Sequence, residues 1–152
     1  MAAQLPDIII INGEKMDLYT NPLEQYWIRV KKKRPFFYPL DSCTRGYVAT
    51  WEIKDKQLLL KKFDGNILKR SFLFGRRLVR FSLNMLFAAA KNKRVKANWF
   101  SGKLRIPQGP MTVFENNEYG SRFEKEIIIN VERGNITKMV TLDNVRRVLT
   151  VN

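Results

Sequence analysis

Short runs of alternating apolar and polar residues, closed by tight-turn signals, constrain the fold of this chain more than any other feature. In IIIINGEKMDLY, Asn12-Gly13 separates two extended runs. Both central residues of a type I′ turn need a positive φ, so Asn-Gly between extended runs is a strong signal for a β-hairpin. We therefore expect strands at 7–11 and 14–19.

The same pattern recurs twice along the chain. Residues 47–54 place apolar side chains at every second position, and Asp55-Lys56 supplies a turn before a return strand from Gln57 to Phe63. FDGN, at 63–66, predicts the turn that ends this hairpin. RFEKEIIINVERGNITKMVTL alternates around Arg133-Gly134-Asn135 and predicts another hairpin.

Less regular segments supply the remaining elements. Pro22, after Thr20 or Asn21 as a cap, predicts a short helix over about 22–28. Ser82 caps a second short helix from Leu83 to about Ala90. Short extended pieces are expected at 78–81, 95–100, 103–106 and 112–114.

These elements amount to eight or so strands and two short helices, with no helical crossover of ten residues. So few helices cannot cover a parallel sheet. We therefore predict a mainly β (β-rich α+β) fold, a single domain over 1–152. Its predicted architecture is an antiparallel curved sheet or partial barrel with one or two short helices. A chain of 152 residues is long enough to bury its own core.

Two residue counts exclude whole classes of site. The chain has one cysteine, Cys43, and no histidine, so it has no internal disulfide, no pair of thiolate zinc ligands and no histidine-based catalytic triad. We expect no metal, no cofactor and no enzymatic activity. The least favoured alternative is a carboxylate-dependent enzyme. It would use groups drawn from Glu52, Glu115, Glu118, Glu124, Glu126, Tyr119 and Ser121.

Nothing in the sequence predicts a membrane segment or a targeting signal. The first residues lack a basic region, and the apolar run Ile8 to Ile11 is too short for a signal-peptide core. Arginines interrupt the more apolar stretch from Leu73 to Ala90. We expect a cytoplasmic protein without membrane contact, although FLFGRRLVRF also has the composition of a segment that lies on an anionic membrane.

Positive charge is concentrated in the middle of the chain. The net charge is +14, and residues 29–105 hold 21 cations and four anions. Such a field attracts acidic proteins, nucleic acid or anionic lipid, and it bears on association rather than on fold.

The cations predicted to bind a partner form several groups. The densest group follows the predicted short helix and consists of Arg29, Lys31, Lys32, Lys33 and Arg34. It is flanked by Trp27, Phe36, Phe37 and Tyr38. Cations that neutralise phosphates beside aromatic rings that stack on bases are typical of single-strand nucleic-acid recognition. The alternative is a solvated loop whose aromatic residues fill the core. The predicted partner-binding residues are Arg29, Lys31, Lys32, Lys33, Arg34, Lys61, Lys62, Arg76, Arg77 and Arg105. The pair Lys69-Arg70 and Arg80 extend this surface if their strands share a face.

WFSGKLRIPQG, at 99–109, predicts an edge strand. Leu104 and Ile106 point to one face, Lys103 and Arg105 to the other, and Pro107 ends the pairing. Arg105 forms a polar pocket for a carboxylate or phosphate if it meets YGSRFE, and a structural salt bridge is the alternative. The residues predicted for this pocket are Glu52, Arg105, Tyr119, Ser121 and Glu124.

Three blocks carry a resemblance to a known family. They are NPLEQYW at 21–27, RGYVATWEIKDKQLLL at 45–60, and WFSGKLRIPQG at 99–109 followed by YGSRFEKEIIINVERG at 119–134. Together they resemble a family of small bacterial proteins with no established activity. The resemblance implies a fold shared across bacteria and supplies no catalytic residue.

Two binding functions follow from these patterns. The first is a non-catalytic protein that holds an acidic protein partner with its basic central surface, such as an inhibitor or an immunity-type factor. The alternative is a nucleic-acid-binding module that uses the same surface. The sequence leaves the oligomeric state open.

Overall fold

The computed structural model describes residues 4–31, 36, 41–73, 75–90, 93–115 and 119–144. In these residues the chain forms two α-helices, α1 (Leu23–Val30) and α2 (Leu83–Leu86), and nine strands. The strands are, in chain order, β1 (Asp7–Ile11), β2 (Glu14–Leu18), β3 (Tyr47–Lys54), β4 (Gln57–Ser71), β5 (Gly75–Phe81), β6 (Val95–Lys96), β7 (Gly102–Val113), β8 (Arg122–Glu132) and β9 (Asn135–Asp143).

The described strands form one sheet, whose main path is β2-β1-β3-β4-β9-β8-β7, while β5 and β6 pair with β4 outside that path. The mainly β fold with two short helices is the predicted one. One pair departs from the antiparallel expectation, because β1 lies parallel to β3 with Ile9 opposite Trp51. The connection between them includes β2 and α1, and it is long enough for the crossover that a parallel pair requires.

The sheet is curved and open, and its two edge strands approach each other. Tyr19, just after β2, donates its N–H to the carbonyl of Arg105 on β7 at 2.8 Å. The N–H of Arg105 in turn lies 3.0 Å from Thr20 Oγ1. Near the middle of the path, β4 and β9 are joined through the pair Gln57 and Asn135. The curvature therefore lets one sheet surround one apolar core.

Among the described residues, one cluster of buried side chains forms this core. Trp51 of β3 and Leu58 of β4 are fully buried, and α1 adds Leu23 and Trp27. Removal of this apolar surface from water is the main favourable contribution to folding. Other buried members of the cluster are Ile9, Leu18, Phe36, Tyr47, Leu60, Phe63, Leu104, Ile106 and Ile129.

The turn chemistry explains why these hairpins form. Asn12 and Gly13 have φ values of +51° and +79°, as a type I′ turn requires. Asp55 and Lys56, at +52° and +57°, join β3 to β4 at the predicted turn. Gly134 lies between β8 and β9 with φ +79°, and a Cβ there would lie 2.8 Å from the Ala97 carbonyl oxygen.

Two predicted strand breaks are wrong. FDGN lies inside β4, where Gly65 pairs with Tyr47 and leaves room for the ring of Phe63, 2.8 Å from the position of a Cβ. The pieces predicted at 103–106 and 112–114 belong to one strand, β7, whose pairing continues past Pro107. Its register shifts between Gln108 and Met111, so glycine and proline mark a β-bulge here rather than an end.

Two predicted elements are shorter than expected. The strand predicted over 95–100 is reduced to β6, because the N–H of Phe100 bonds to the Ala97 carbonyl in a turn at 3.0 Å. The second helix ends at Leu86, and Ala88–Ala90 is a separate 3-10 turn. No helix in the described ranges is both long enough and apolar enough to cross a bilayer.

Candidate binding arm and polar pocket

The outer half of the β4–β5 hairpin extends beyond the rest of the sheet. Pairing between β3 and β4 ends at Tyr47 and Gly65, whereas β4 continues against β5 as far as the pair Ser71 and Gly75. Residues 68–70, 72, 73 and 75–78 are exposed, and Ser71 is half-buried. We call residues 68–73 and 75–78 the basic arm.

Cations face cations across the basic arm. Lys69 is opposite Arg77, and Arg70 is opposite Arg76. Directly opposed like charges destabilise an antiparallel pair. In the described part of the chain no carboxylate lies within ion-pair distance of any of the four. No described carboxylate therefore balances the charge of these four cations.

The four cations are divided between the two faces of the arm. Successive residues of a strand point to opposite faces, so the pair Arg70 and Arg76 lies on one face and the pair Lys69 and Arg77 on the other. As the alternation of side chains along a strand predicts, half of these cations point away from any single face of the arm. The arm is therefore a two-stranded ribbon that is cationic on both sides.

Large apolar side chains are exposed at the tip and along one face. Phe72 and Leu73, in the turn, have relative exposures of 103% and 79%. Leu68 and Leu78, which face each other across the arm, are also exposed. Four large apolar side chains are therefore exposed on the basic arm.

Further cations lie near the base of the hairpin. Lys61 is 3.9 Å from Glu52, and Arg80 is 3.5 Å from Asp64. Lys62 and Arg80 line a shallow cavity of about 230 Å³ between β4 and α2. At about 3.3 Å per strand residue, Lys62 and Arg70 lie about 26 Å apart along β4, and Arg80 of β5 is opposite Asn66 between them.

The predicted cluster after α1 is only partly described. Arg29 and Lys31 are exposed at the end of α1, while Lys32, Lys33 and Arg34 lie outside the described residues, as do Phe37 and Tyr38. The two described aromatics are not available for base stacking. Trp27 is 7% and Phe36 9% exposed, and their rings pack together with centroids 5.4 Å apart.

Arg105 makes its contacts within the chain. Its Nε donates to Glu126 Oε1 at 2.8 Å, and its two Nη atoms donate to the carbonyls of Tyr119 and Ser121 at 2.6 and 2.8 Å. The guanidinium also lies 5.5 Å from the ring centre of Tyr19. This geometry matches the alternative of a structural salt bridge, and we leave Arg105 out of the binding surface.

The predicted carboxylate partners of Arg105 are wrong. Register pairs Arg105 with Ile128, so Glu126 is its diagonal neighbour and Glu124 lies two residues further along β8. Glu52, on β3, pairs with Arg94 at 2.5 Å instead. Tyr119 and Ser121 do meet Arg105, but through their backbone carbonyls.

A second arginine, which the sequence did not single out, forms a buried ion pair. Arg45 Nη2 lies 2.9 Å from Asp7 Oδ1, with side-chain exposures of 5% and 0%. Asp7 also accepts hydrogen bonds from the N–H of Ala49 at 3.0 Å and from Trp51 Nε1 at 3.1 Å. Burial raises the pKa of Asp7, and the Arg45 charge opposes that shift. One signal was available, because Asp7 alternates with Ile9 on the inward face of β1.

Arg45 also lines a polar cavity of about 390 Å³. Its Nη1 donates to the Leu5 carbonyl at 2.7 Å, and Tyr119 donates to the same carbonyl at 3.1 Å. Burial raises the pKa of Tyr119 to about 12, against the lowering effect of the Arg45 charge. The lining residues are Gln4, Thr20, Asn21, Glu24, Thr44, Arg45 and Tyr119.

The side chains that line this pocket are hydrogen-bonding groups. Glu24, its one lining carboxylate, accepts a hydrogen bond from Tyr47 Oη at 2.8 Å, and burial raises the pKa of Tyr47 well above 10. No group of three potential metal-ligating side chains occurs in the ranges that the structure describes.

Comparison with known proteins adds no assignment. No protein-family model, no curated protein and no solved structure matches this chain. The resemblance of the three sequence blocks therefore stays a prediction.

Proposed function

We propose that this chain is a non-catalytic nucleic-acid-binding protein that holds the phosphate backbone with the basic arm. The like-charge pairs of the arm, Lys69 with Arg77 and Arg70 with Arg76, carry the proposal. A protein keeps such pairs at a cost in stability. Phosphates placed beside them relieve the repulsion and release counterions from the nucleic acid.

The distribution of charge favours nucleic acid over an acidic protein surface. A groove has phosphates along both walls, and a two-stranded β-ribbon fits into it. The arm has one cationic pair on each face, so both walls would be neutralised. A protein surface would meet one face of the arm and leave the other pair opposed. An acidic protein partner, such as the target of an inhibitor or immunity-type factor, is the alternative.

A salt titration tests the proposal. Binding of a fluorescent 20-base-pair duplex is measured for the wild type and for Lys69→Ala/Arg70→Ala/Arg76→Ala/Arg77→Ala over a range of salt concentrations. Each phosphate contact contributes about 0.9 to the slope of log K against log salt for duplex DNA. Loss of all four contacts should therefore reduce the slope by up to about 3.6.

A matched control removes the same charge elsewhere. The four exposed lysines changed to alanine in the control are Lys15, Lys103, Lys125 and Lys138. We expect the control to retain most of the slope. Equal effects of the two variants, or no duplex binding by the wild type at physiological salt, would contradict the proposal. Retrieval of one stoichiometric acidic protein that depends on the arm would then favour the alternative.

The other predicted cluster is tested in the same assay. Lys31, Lys32, Lys33 and Arg34 are changed together to alanine, with labelled single-stranded DNA and RNA as additional probes. A loss of slope in this variant would extend the binding surface from the arm to the end of α1. An unchanged slope would restrict that surface to the arm.

A further inference from the structure

We infer that Phe72 and Leu73 form an apolar wedge that enters the base stack of duplex DNA from the minor groove, so that the basic arm bends the duplex. This inference rests on the proposed function and specifies its nucleic-acid partner. The tip of the arm consists here of Phe72 and Leu73. With relative exposures of 103% and 79%, they are the most exposed large apolar side chains among the described residues.

The four cations of the basic arm lie directly behind the apolar tip. Arg70 and Arg76 are one residue behind the last strand pair of the hairpin, and Lys69 and Arg77 are two residues behind it. At about 3.3 Å per residue, they lie about 3 and 7 Å behind that pair. Proteins that insert apolar side chains between base steps combine them with cations that contact the flanking phosphates.

The spacing of the cations along the β4–β5 hairpin argues against a membrane as the partner of the tip. A bilayer headgroup region is about 5–8 Å deep on each side. Lys62 lies about 26 Å from Arg70 along β4, and Arg80 of β5 is opposite Asn66 between them, so a hairpin with its tip in a bilayer would leave Lys62 and Arg80 outside that region. A hairpin that lies along a groove of a duplex meets phosphates from its base to its tip.

The exposed pair behind the tip also fits a groove. Leu68 faces Leu78 on the side of the arm that includes Arg70 and Arg76. Their relative exposures are 37% and 45%. Inside a minor groove this pair would contact the apolar parts of the deoxyribose walls, while the neighbouring arginines reach phosphates. A single strand has no second phosphate wall and no base-paired stack to open, so duplex DNA is the form that uses every part of the arm.

The test separates bending from binding. A 30-base-pair duplex with a donor and an acceptor dye at its ends reports bending, and 2-aminopurine at a central TA step reports unstacking. The tip variant is Phe72→Ser/Leu73→Ser. The control, Ile28→Ser/Met139→Ser, removes two exposed apolar residues outside the arm.

We expect the wild type and the control to increase energy transfer and 2-aminopurine fluorescence. The tip variant should bind with the same salt slope and within about fivefold of the wild-type affinity, and lose both signals. Salt-dependent binding with equal bending by the tip variant, or with no bending by the wild type, would overturn the wedge and leave the proposed function intact. Loss of duplex binding by the four-alanine arm variant is the separate test of that function.

Vesicle binding tests whether the tip enters an anionic bilayer instead of a DNA duplex. Co-sedimentation with phosphatidylcholine vesicles containing 30% phosphatidylserine is measured for the same variants. Vesicle binding that is lost in the tip variant, together with an unbent duplex, would overturn the wedge in favour of an anionic bilayer. Bending of the duplex without vesicle binding would support it.

Discussion

Replacement of Asp7 by alanine should destabilise the protein by about 3–5 kcal/mol, because removal of one partner of a buried ion pair leaves the other charge uncompensated. Arg45 is 4% exposed and would retain its guanidinium charge with no carboxylate beside it. The N–H groups of Ala49 and Trp51 would lose their acceptor as well. The loss is a large fraction of the roughly 5–15 kcal/mol that stabilises a typical domain.

Urea unfolding followed by tryptophan fluorescence at pH 7 measures this change. The matched control is Asp64→Ala, which removes the exposed pair with Arg80 at 3.5 Å and should cost at most about 1 kcal/mol. The double change Asp7→Leu/Arg45→Met should recover part of the stability, because it removes the unpaired buried charge but leaves the N–H groups of Ala49 and Trp51 without an acceptor. Equal midpoints for Asp7→Ala and Asp64→Ala would refute the reasoning.

Two further predictions concern a glycine and a tyrosine. Gly13 and Gly46 have φ values of +79° and +80°, but a Cβ at Gly46 would lie 2.6 Å from the Phe36 backbone, whereas nothing lies within 4 Å at Gly13. Thermal unfolding should therefore show about 1–2 kcal/mol lost for Gly13→Ala and clearly more for Gly46→Ala; equal losses would contradict the close contact. The difference in 295 nm absorbance between wild type and Tyr119→Phe should titrate near pH 12, and a midpoint near 10 would be inconsistent with its burial. Because this folded pKa lies above the usual 10, the stability that neutral Tyr119 contributes is complete below pH 10 and declines as the pH rises through 12.

Local chemistry made much of this fold predictable. Asn12-Gly13 and Asp55-Lys56 determine backbone φ values over two residues, so their hairpins follow from the sequence alone. FDGN has turn composition, but Gly65 serves the packing of Phe63, and packing is decided by residues elsewhere in the sheet. The parallel pair of β1 and β3 likewise depends on a contact between distant segments.

In the candidate sites, too, the sequence identified residues, whereas their contacts depend on how distant segments pair. The cations of the arm were visible as Lys69-Arg70 and Arg76-Arg77, yet their opposition across a ribbon depends on the turn between them. The partner of Arg105 depends on a register that shifts the carboxylate by two residues, from Glu124 to Glu126. Asp7 and Arg45 are 38 residues apart, and no local pattern links them.

The opposed cations of the arm also affect its order in the absence of a partner. Natural sequences are minimally frustrated, and local conflicts between charge and structure concentrate at functional sites. The arm is such a conflict, because its strand pairing holds together charges that Coulomb repulsion would separate. Salt screens this repulsion in the free protein and also screens the attraction to phosphate. High ionic strength therefore favours the paired conformation of the free arm and lowers its affinity for a phosphate ligand. At low ionic strength the bound ligand itself supplies the negative charge that stabilises the strand pairing.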